Sequence, residues 1–276
     1  MTVSVHTNSS AMIALQNLNA TNKNLEDAQQ KISTGLEVSS AKDNASVYAI
    51  AQGQRADLGG LDAVTDSLNR ASSIADVSTA AGESVSDLLN ELREKVVGAM
   101  DTSIDTTSRN ALNSDYKAIL GQITHVVENA TFNGSNILDG SLSSSIEFIA
   151  NADANSTITL SVRTISLGGQ IITISANSDI STASGASAIL SQLDTSIDNL
   201  NANLGALGSQ AKQIEGHLSF VSKLQDSINT GIGNLVDADM AKESSRLQAL
   251  QVQQQLGTQA LSIANQSPQQ ILQLFK

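Results

Sequence analysis

The residues able to carry acid–base or metal chemistry are few and scattered along the chain. His6, His125 and His217 stand far apart, and none has a second histidine three or four residues away, the spacing that places two ligands on one helix face. Asp237 and Asp239 form a close acidic pair, but carboxylates just before a helix also cap and complement its N-terminus. We therefore expect no metal site.

Nucleophile and cofactor motifs are equally weak. Ser39 and Lys42 have the S-x-x-K spacing without the companion motifs of the enzymes that use it. Gly231 and Gly233 lack the third glycine and the preceding strand of a dinucleotide site. The sequence contains no HExxH motif and no phosphate-binding loop. We predict that the protein is not an enzyme and binds no cofactor.

The strongest pattern in the chain is structural. Fourteen positions from Leu190 to Leu235 alternate spacings of three and four, and only Gln225 among them is polar. The others are Leu190, Leu193, Ile197, Leu200, Leu204, Leu207, Ala211, Ile214, Leu218, Val221, Ile228, Ile232 and Leu235. A heptad pattern kept over six repeats predicts a coiled-coil seam.

A second seam runs from Val47 to Ala99, with a weak patch around Ser78 and Gly82. A third, shorter pattern (Leu112, Ile119, Ile123 and Val126) predicts a helix that folds back onto the two long ones. Residues 141–187 are instead rich in Ser, Thr, Asn and Gly. Alternation at Ile158, Leu160 and Val162, and again at Ile172 and Ile174, predicts short strands there, with a hairpin loop at Asn151–Ser156.

Composition limits the classes of partner. The net charge is −12, and all 27 acidic residues lie between Lys23 and Arg246, which argues against nucleic-acid binding. Cysteine is absent, so no disulfide framework is expected. The first residues show no basic region followed by an apolar run, so we expect no cleavable secretory signal.

Both ends of the chain carry an apolar seam without charge. Asp, Glu, Lys and Arg are absent from Met1–Asn22 and from Leu247–Phe275, where ten of the residues are Gln, too many for a membrane span. We predict that these segments pack inside an assembly of many copies, where stacked like charges would repel. The predicted packing residues are Leu15, Leu18, Leu25, Ile32, Leu247, Leu250, Leu261 and Ala264. Ser267-Pro268-Gln269-Gln270 has the form of a capping box and predicts that a final short helix restarts at Gln269.

Several stretches together resemble bacterial flagellin, in the family's order and at its distances from each end. They are STGLEVSSAKDNASVYAIA (Ser33–Ala51), ENATFNGSNILDG (Glu128–Gly140), NANLGALGSQ (Asn201–Gln210), LVDADMAKES (Leu235–Ser244) and LGTQALSIANQSPQQILQLF (Leu256–Phe275). The resemblance is to the short flagellins of alphaproteobacteria, which lack large variable outer domains.

This resemblance implies a mainly α filament subunit, in which long antiparallel coiled-coil helices from both termini carry a small β-hairpin appendage. It implies inner-core helices at 1–33 and 237–276, a connecting spoke at 34–46, an outer core at 47–140 and 188–236, and a surface-exposed β and loop region at 141–187. If O-linked glycans occur, we expect them in this last region, for example on Ser143, Ser144 or Thr182.

The implied function is the structural subunit of the extracellular flagellar filament, exported without a cleaved signal peptide for swimming motility. The implied partners are further copies of the chain, alone or mixed with other flagellins, the flagellar export apparatus, a flagellin export chaperone, and hook-associated and cap proteins. No membrane insertion is expected. A hook–filament junction protein and, from another class, a non-secreted coiled-coil adaptor are the alternatives.

Overall fold

The computed structural model describes residues 7–274, with side chains through residue 266, and most of these residues are helical. The helices are α1 (Ser9–Thr34), α2 (Ala45–Met100), α3 (Thr106–Asn129), α4 (Ala183–Val236) and α5 (Met240–Leu274). Two strands, β1 (Ile146–Ile149) and β2 (Thr157–Leu160), lie between α3 and α4. The predicted fold class is confirmed.

The chain divides into two compact units. The first unit contains residues through Ala56 together with those from Ser227 onward, and so includes α1 and α5. The second unit contains Asp57–Asp226, with α3, both strands and most of α2 and α4.

The second unit is built on an antiparallel pairing of α2 with α4. Gln225 Nε2 donates to Asp62 Oδ1 at 2.8 Å, and Arg93 Nε lies 3.0 Å from Asp194 Oδ1. The predicted seam of α2 is buried from Leu61 to its end. Its buried positions are Leu61, Val64, Leu68, Ala71, Ala75, Ser78, Gly82, Val85, Leu89, Leu92, Val96 and Ala99. Alternate positions of the α4 seam are buried with them, namely Leu193, Leu200, Leu207, Ile214 and Val221.

The weak patch of the α2 seam is a site of close helix approach. A Cβ placed on Gly82 would lie 2.4 Å from Leu204 Cδ2, so the α4 leucine occupies the space that a side chain at this position would need. The glycine therefore fits the seam because Leu204 fills it from the opposite helix.

The early part of the predicted α2 seam behaves differently. Val47 and Gln54 are only half-buried, Asp57 is exposed, and Ile50 is 51% exposed. Heptad spacing continues through these residues, but in a single chain they form no closed seam.

Helix α3 completes the core of the second unit. Asp105 caps its N-terminus by accepting from Ser108 N at 2.9 Å, and Tyr116, Ile119 and Ile123 are buried on one face. Val127 is buried in place of the predicted Val126, which is half-buried, because the buried stripe shifts by one residue in the last turn.

The predicted hairpin is present. Strand β1 pairs with β2 in antiparallel register, with Ile146 opposite Leu160 and Ile149 opposite Thr157. Residues 150–156 form its loop. The loop lies against α2 so closely that a Cβ placed on Gly60 would be 2.9 Å from Ala152 Cβ. On the α4 side, His217 Nε2 lies 2.7 Å from the Ala150 carbonyl oxygen.

The predicted strand at Ile172 and Ile174 is wrong, and β2 ends before Val162. The chain after β2 instead donates from Arg163 N to Ile137 O and from Ile165 N to Leu138 O, both at 2.8 Å. Thr173 N donates to Ser196 Oγ of α4 at 3.0 Å. Ile165, Ile172, Ile174 and Ile180 are buried. The alternation of apolar residues at Ile172 and Ile174 therefore reflects burial of their side chains and not strand formation. The segment contributes apolar side chains to the core of the second unit.

A polar cluster fixes the end of this segment to α3. Asp179 accepts from Asn113 Nδ2 at 3.0 Å and from Lys117 Nζ at 2.9 Å, while Ile180 N donates to Asn113 Oδ1 at 2.9 Å. Hydrogen bonds from Ser181, then from Lys117 and Asn113, hold the pKa of the Asp179 carboxyl well below its usual range.

In the first unit, the predicted restart of a helix at Gln269 is wrong. Helix α5 runs without interruption from Met240 to Leu274, through Pro268. A proline inside a helix leaves the carbonyl four residues earlier without its usual N–H partner.

Candidate assembly surface

Helices α1 and α5 pair in antiparallel order within the first unit. Asn8 Nδ2 donates to the Ala264 carbonyl oxygen at 2.7 Å, and Gln254 Nε2 donates to Asn22 Oδ1 at 2.8 Å. Nearer the other end of the pair, a small apolar cluster contains Leu25, Ala28 and Leu250, with Leu247 packed against it. Polar contacts and the apolar cluster together set one register for the two helices.

A close approach of the two helices lies between these contacts. A Cβ placed on Gly257 would be 3.2 Å from Leu18 Cδ1 and 3.8 Å from Leu18 Cβ. Gly257 has no side chain with which to continue the apolar pattern of the tail. Its lack of a side chain instead admits Leu18, a predicted packing residue, onto the α5 backbone.

The chain between α1 and α2 positions the opposite end of the pair. Gly35 ends α1 in the left-handed conformation, with φ at 72°, and its carbonyl oxygen accepts from Ala238 N at 2.9 Å. Glu37 N donates to Val236 O at 2.7 Å, and Leu36 forms an isolated antiparallel bridge with Asp237. Backbone bonds thus join the residues that end α1 to those that precede α5.

Polar side chains cap the helices that flank this junction. Asn44 Oδ1 accepts from Val47 N at 3.2 Å in the first turn of α2. Asp239 Oδ1 accepts from Ala241 N at 3.0 Å and Lys242 N at 3.1 Å, so this carboxylate caps α5. Both residues serve the helix ends.

The other residues considered for chemistry also have structural partners. Ser39 Oγ donates to Asp43 Oδ2 at 3.0 Å, so its hydroxyl is directed to a carboxylate and not to Lys42. His217 contacts the hairpin loop, and His6 lies outside the described residues. Among the residues that the structure describes, no three His, Asp or Glu side chains are grouped closely enough to hold a metal ion. No described helix is long and apolar enough to cross a membrane.

The predicted packing residues differ in burial. Leu25 and Leu250 are buried, and Leu15 is 47% exposed. The remaining five, which are half-buried, are Leu18, Ile32, Leu247, Leu261 and Ala264. The α1–α5 pair therefore uses only part of the predicted seam within one subunit.

Further apolar side chains lie exposed outside that seam. On α1, Met12 is 64% and Ile13 is 59% exposed, and on α5, Val252 is 55%, Leu256 is 58% and Ile263 is 69% exposed. We call these five residues the outer apolar set. Heptad analysis missed them because it follows a single face, although the coincidence of apolar residues with an uncharged segment was a usable signal.

The electrostatic environment of this set is neutral. Neither Thr7–Asn22 nor Leu247–Gln266 contains Asp, Glu, Lys or Arg. The polar positions are mainly Gln, Asn, Ser and Thr, which form hydrogen bonds without placing net charge on a neighbour. An uncharged surface with many exposed large apolar side chains favours association with another protein surface.

The predicted glycosylation residues lie in the second unit. Ser143 and Ser144 are exposed between α3 and β1. Thr182 is also exposed, but its Oγ1 accepts from Gly185 N at 3.1 Å at the start of α4. A glycan at Thr182 would alter a helix cap, whereas the two serines lie outside helices and strands.

Comparison with known families accounts for both ends of the chain. Residues 5–143 match the model of the bacterial flagellin N-terminal helical region, and residues 190–275 match that of the C-terminal helical region. These spans include α1, α3 and α5 in the order described above.

Curated relatives match over the whole chain. Flagellin FljJ of Caulobacter vibrioides is 50% identical over 276 residues, covering 100% of this chain and 99% of the relative. A flagellin of Brucella melitensis is 40% identical over 281 residues, covering 99% of each chain. These lengths agree with a short flagellin.

One solved structure shares the fold at low identity. It is described as a flagellar hook-associated protein of Vibrio parahaemolyticus, with a TM-score of 0.59 and 12% identity, covering 71% of this chain and 100% of that one. At this identity the likeness concerns the fold alone. The full-length relatives include flagellins of the short alphaproteobacterial type, and flagellin is a structural protein and not an enzyme. The family models and these relatives together show that the chain belongs to the bacterial flagellin family.

Proposed function

We propose that the outer apolar set of α1 and α5 holds this flagellin subunit to its neighbours in the flagellar filament. Five large apolar side chains are more than half exposed on two helices whose facing segments have no charge, and this observation supports the proposal. Burying one such side chain contributes about 1.5–3 kcal/mol. Contact with further copies of the same surface would provide that burial repeatedly along a helical polymer.

A membrane surface is a poorer partner for these helices. Interfacial helices combine an apolar face with Lys and Arg on the polar face, which attract anionic lipids. Thr7–Asn22 and Leu247–Gln266 have neither residue. A second copy, which is equally uncharged over these segments, fits them better.

The assignment of radial layers is part of the proposal. Residues 1–33 with 237–276 form the inner core, 34–46 the spoke, 47–140 with 188–236 the outer core, and 141–187 the surface region. Support comes from the pairing of α1 with α5 and from the separate core of the second unit. The boundaries of the two compact units, near Ala56 and Ser227, do not coincide with those of the proposed layers.

The location of the protein follows from its family, and the route is a further proposal. A flagellin is part of the extracellular flagellum. We infer export through the flagellar apparatus without a cleaved signal, with an export chaperone before polymerisation and with hook-associated and cap proteins at the filament ends. The family match over residues 5–143 and 190–275 supports this inference.

The hook–filament junction protein is the less favoured alternative. The hook-associated protein of Vibrio parahaemolyticus shares the fold at 12% identity, but the full-length relatives reported above are flagellins. Negative-stain microscopy separates the two functions. Purified chain that grows into micrometre filaments on seeds supports the flagellin role, and a chain that adds only a short terminal layer contradicts it.

A matched set of variants tests the proposed surface. Leu256→Gln combined with Ile263→Gln removes two members of the outer apolar set without adding charge. Gln259→Ala, an exposed position of the same helix, is the control. We expect the double variant to require a much higher subunit concentration for polymerisation and the control to match the parent. Unchanged polymerisation of the double variant would place the subunit contacts elsewhere.

A further inference from the structure

The only proline of the chain lies inside α5, and the structure shows what happens to the backbone there. A residue at position 268 with an N–H would donate to the carbonyl oxygen of Ala264, four residues earlier. Pro268 has no N–H to donate. The Ala264 carbonyl oxygen nevertheless has a donor, because Asn8 Nδ2 lies 2.7 Å away.

The same side chain performs a second task with its other atom. Asn8 is the N-cap of α1, and its Oδ1 accepts from Ala11 N at 3.0 Å. One amide therefore satisfies a free N–H of α1 and a free C=O of α5. The carboxamide suits both tasks because it carries an acceptor and a donor about 2 Å apart on a short side chain.

We propose that Asn8 and Pro268 act as one unit that selects the register of α1 against α5. The proline creates an unpaired carbonyl before the last turn of a helix in which interior carbonyls are normally bonded internally, and the asparagine is the donor that recognises it. Apolar heptads alone discriminate poorly between registers, and a polar contact at one position is a known means of specifying one. The contact concerns pairing within one subunit, so it does not depend on which face binds neighbouring subunits.

The composition of both helices makes such a device useful. The segments are rich in Gln, Asn, Ser and Ala, and the only buried apolar cluster of the described pair, around Leu25 and Leu250, lies toward one end. If α1 slipped by one helical turn against α5, many of the Gln and Asn contacts could be replaced by equivalent contacts. No other carbonyl of α5 is left unpaired by a proline, since the chain has one proline.

The native absence of cysteine provides a direct reporter of register. A Cβ on residue 257 would lie 3.8 Å from the Cβ of residue 18, within the range that a disulfide requires. Leu18→Cys with Gly257→Cys should therefore form an intrachain disulfide in assembled filaments under mild oxidation. Leu18→Cys with Leu261→Cys, displaced by one turn, should not.

Variants at residues 8 and 268 are then made in the Leu18→Cys, Gly257→Cys chain. Asn8→Ser keeps an N-cap oxygen but removes the amide donor. We expect the initial rate of intrachain disulfide formation to fall by about tenfold. Pro268→Ala supplies the missing N–H, so the Ala264 carbonyl is bonded within α5 in every register and no longer marks the native one. We therefore expect Pro268→Ala to lower the rate by a similar factor. The double variant Asn8→Ser, Pro268→Ala should be no slower than Pro268→Ala alone, because the two residues act as one unit.

The outcomes are distinguishable on a non-reducing gel, where an intrachain bond closes a loop and changes the mobility of the monomer, and a bond between subunits gives a dimer. A parental rate in Asn8→Ser or in Pro268→Ala would overturn the proposal, and so would a double variant that is slowed by the product of the two single effects. If Asn8→Ser does not polymerise, failure of Pro268→Ala to polymerise supports the coupling, and normal filaments from Pro268→Ala refute it. Loss of the N-cap alone would slow disulfide formation equally whether residue 268 is Pro or Ala, so equal rates in Pro268→Ala and the double variant separate the two tasks of Asn8.

Discussion

Replacing Leu250 with Glu tests the role of the buried cluster between α1 and α5. Leu250 is 7% exposed and packs with Leu25 and Ala28, which are 9% and 1% exposed. Truncating a buried leucine to alanine costs about 2–5 kcal/mol. A carboxylate in the same place also loses its water without gaining a hydrogen-bond partner from either apolar neighbour, so the lower limit of this range is a conservative estimate.

This cost is subtracted from the free energy of polymerisation, because the outer apolar set is presented by the paired helices. At 1.4 kcal/mol for each factor of ten, a loss of about 2 kcal/mol raises the critical subunit concentration by about thirtyfold. The second unit, Asp57–Asp226, does not include residue 250. We therefore expect a soluble subunit whose main thermal transition is unchanged and which forms no filaments at concentrations sufficient for the parent.

The measurement combines sedimentation of filaments with thermal unfolding followed by circular dichroism. Gln253→Glu is the matched control, since it adds the same charge to the same helix at an exposed position. It should polymerise better than Leu250→Glu. Normal filaments from Leu250→Glu would refute the reasoning, because the uncharged tail would then not be packed against α1.

Four further results are expected. Limited proteolysis of dilute subunit should trim both ends and leave a resistant fragment close to residues 47–235, because the α1–α5 pair buries only a small apolar cluster around Leu25 and Leu250 to offset the entropy of ordering before polymerisation; protection of residues 250–274 would contradict this. Mass spectrometry of native filaments should place any O-linked glycans on the exposed Ser143 or Ser144 in preference to Thr182, and modification confined to residues 1–33 would oppose the assignment. The folded-state pKa of Asp179 is lowered, so its stabilising contribution is present above about pH 4 and declines as pH falls further; thermal unfolding against pH should show a smaller acid loss in Asp179→Asn than in the parent. Gly59→Ala should stabilise α2 by about 1 kcal/mol, because nothing lies within 4 Å of the added Cβ, whereas Gly60→Ala should lower the melting temperature, because its Cβ would be 3.0 Å from the Ala152 backbone.

Sequence periodicity predicted the helices well where a seam closes within one chain. The heptads of α2 and α4 are buried where each helix meets its partner, as at Leu68 and Leu200. Heptad spacing could not reveal that Ile50 stays exposed, because spacing specifies a face and not what covers it. The same limit explains why Met12 and Ile263, outside the seam, were not predicted as part of an apolar surface.

Two local predictions failed for a shared physical reason. Both the capping box at Pro268 and the alternation at Ile172 were interpreted from neighbouring residues, whereas the backbone groups concerned find partners far away in the sequence. Asn8 supplies the donor for Ala264 O, and Ser196 accepts from Thr173 N. Local patterns predict local hydrogen bonding and cannot anticipate a distant side chain that replaces it.

The hydrogen bond between Asn8 and Ala264 spans 256 positions of the chain. Contacts of such separation have the highest loop-closure cost and are made late in folding. During synthesis from the N-terminus, α1 emerges first and its partner α5 emerges after every other helix of the structure. A chain truncated within α5 therefore still contains the whole second unit but cannot complete the surface for polymerisation. The fold in this way restricts growth of the polymer to chains that retain both ends.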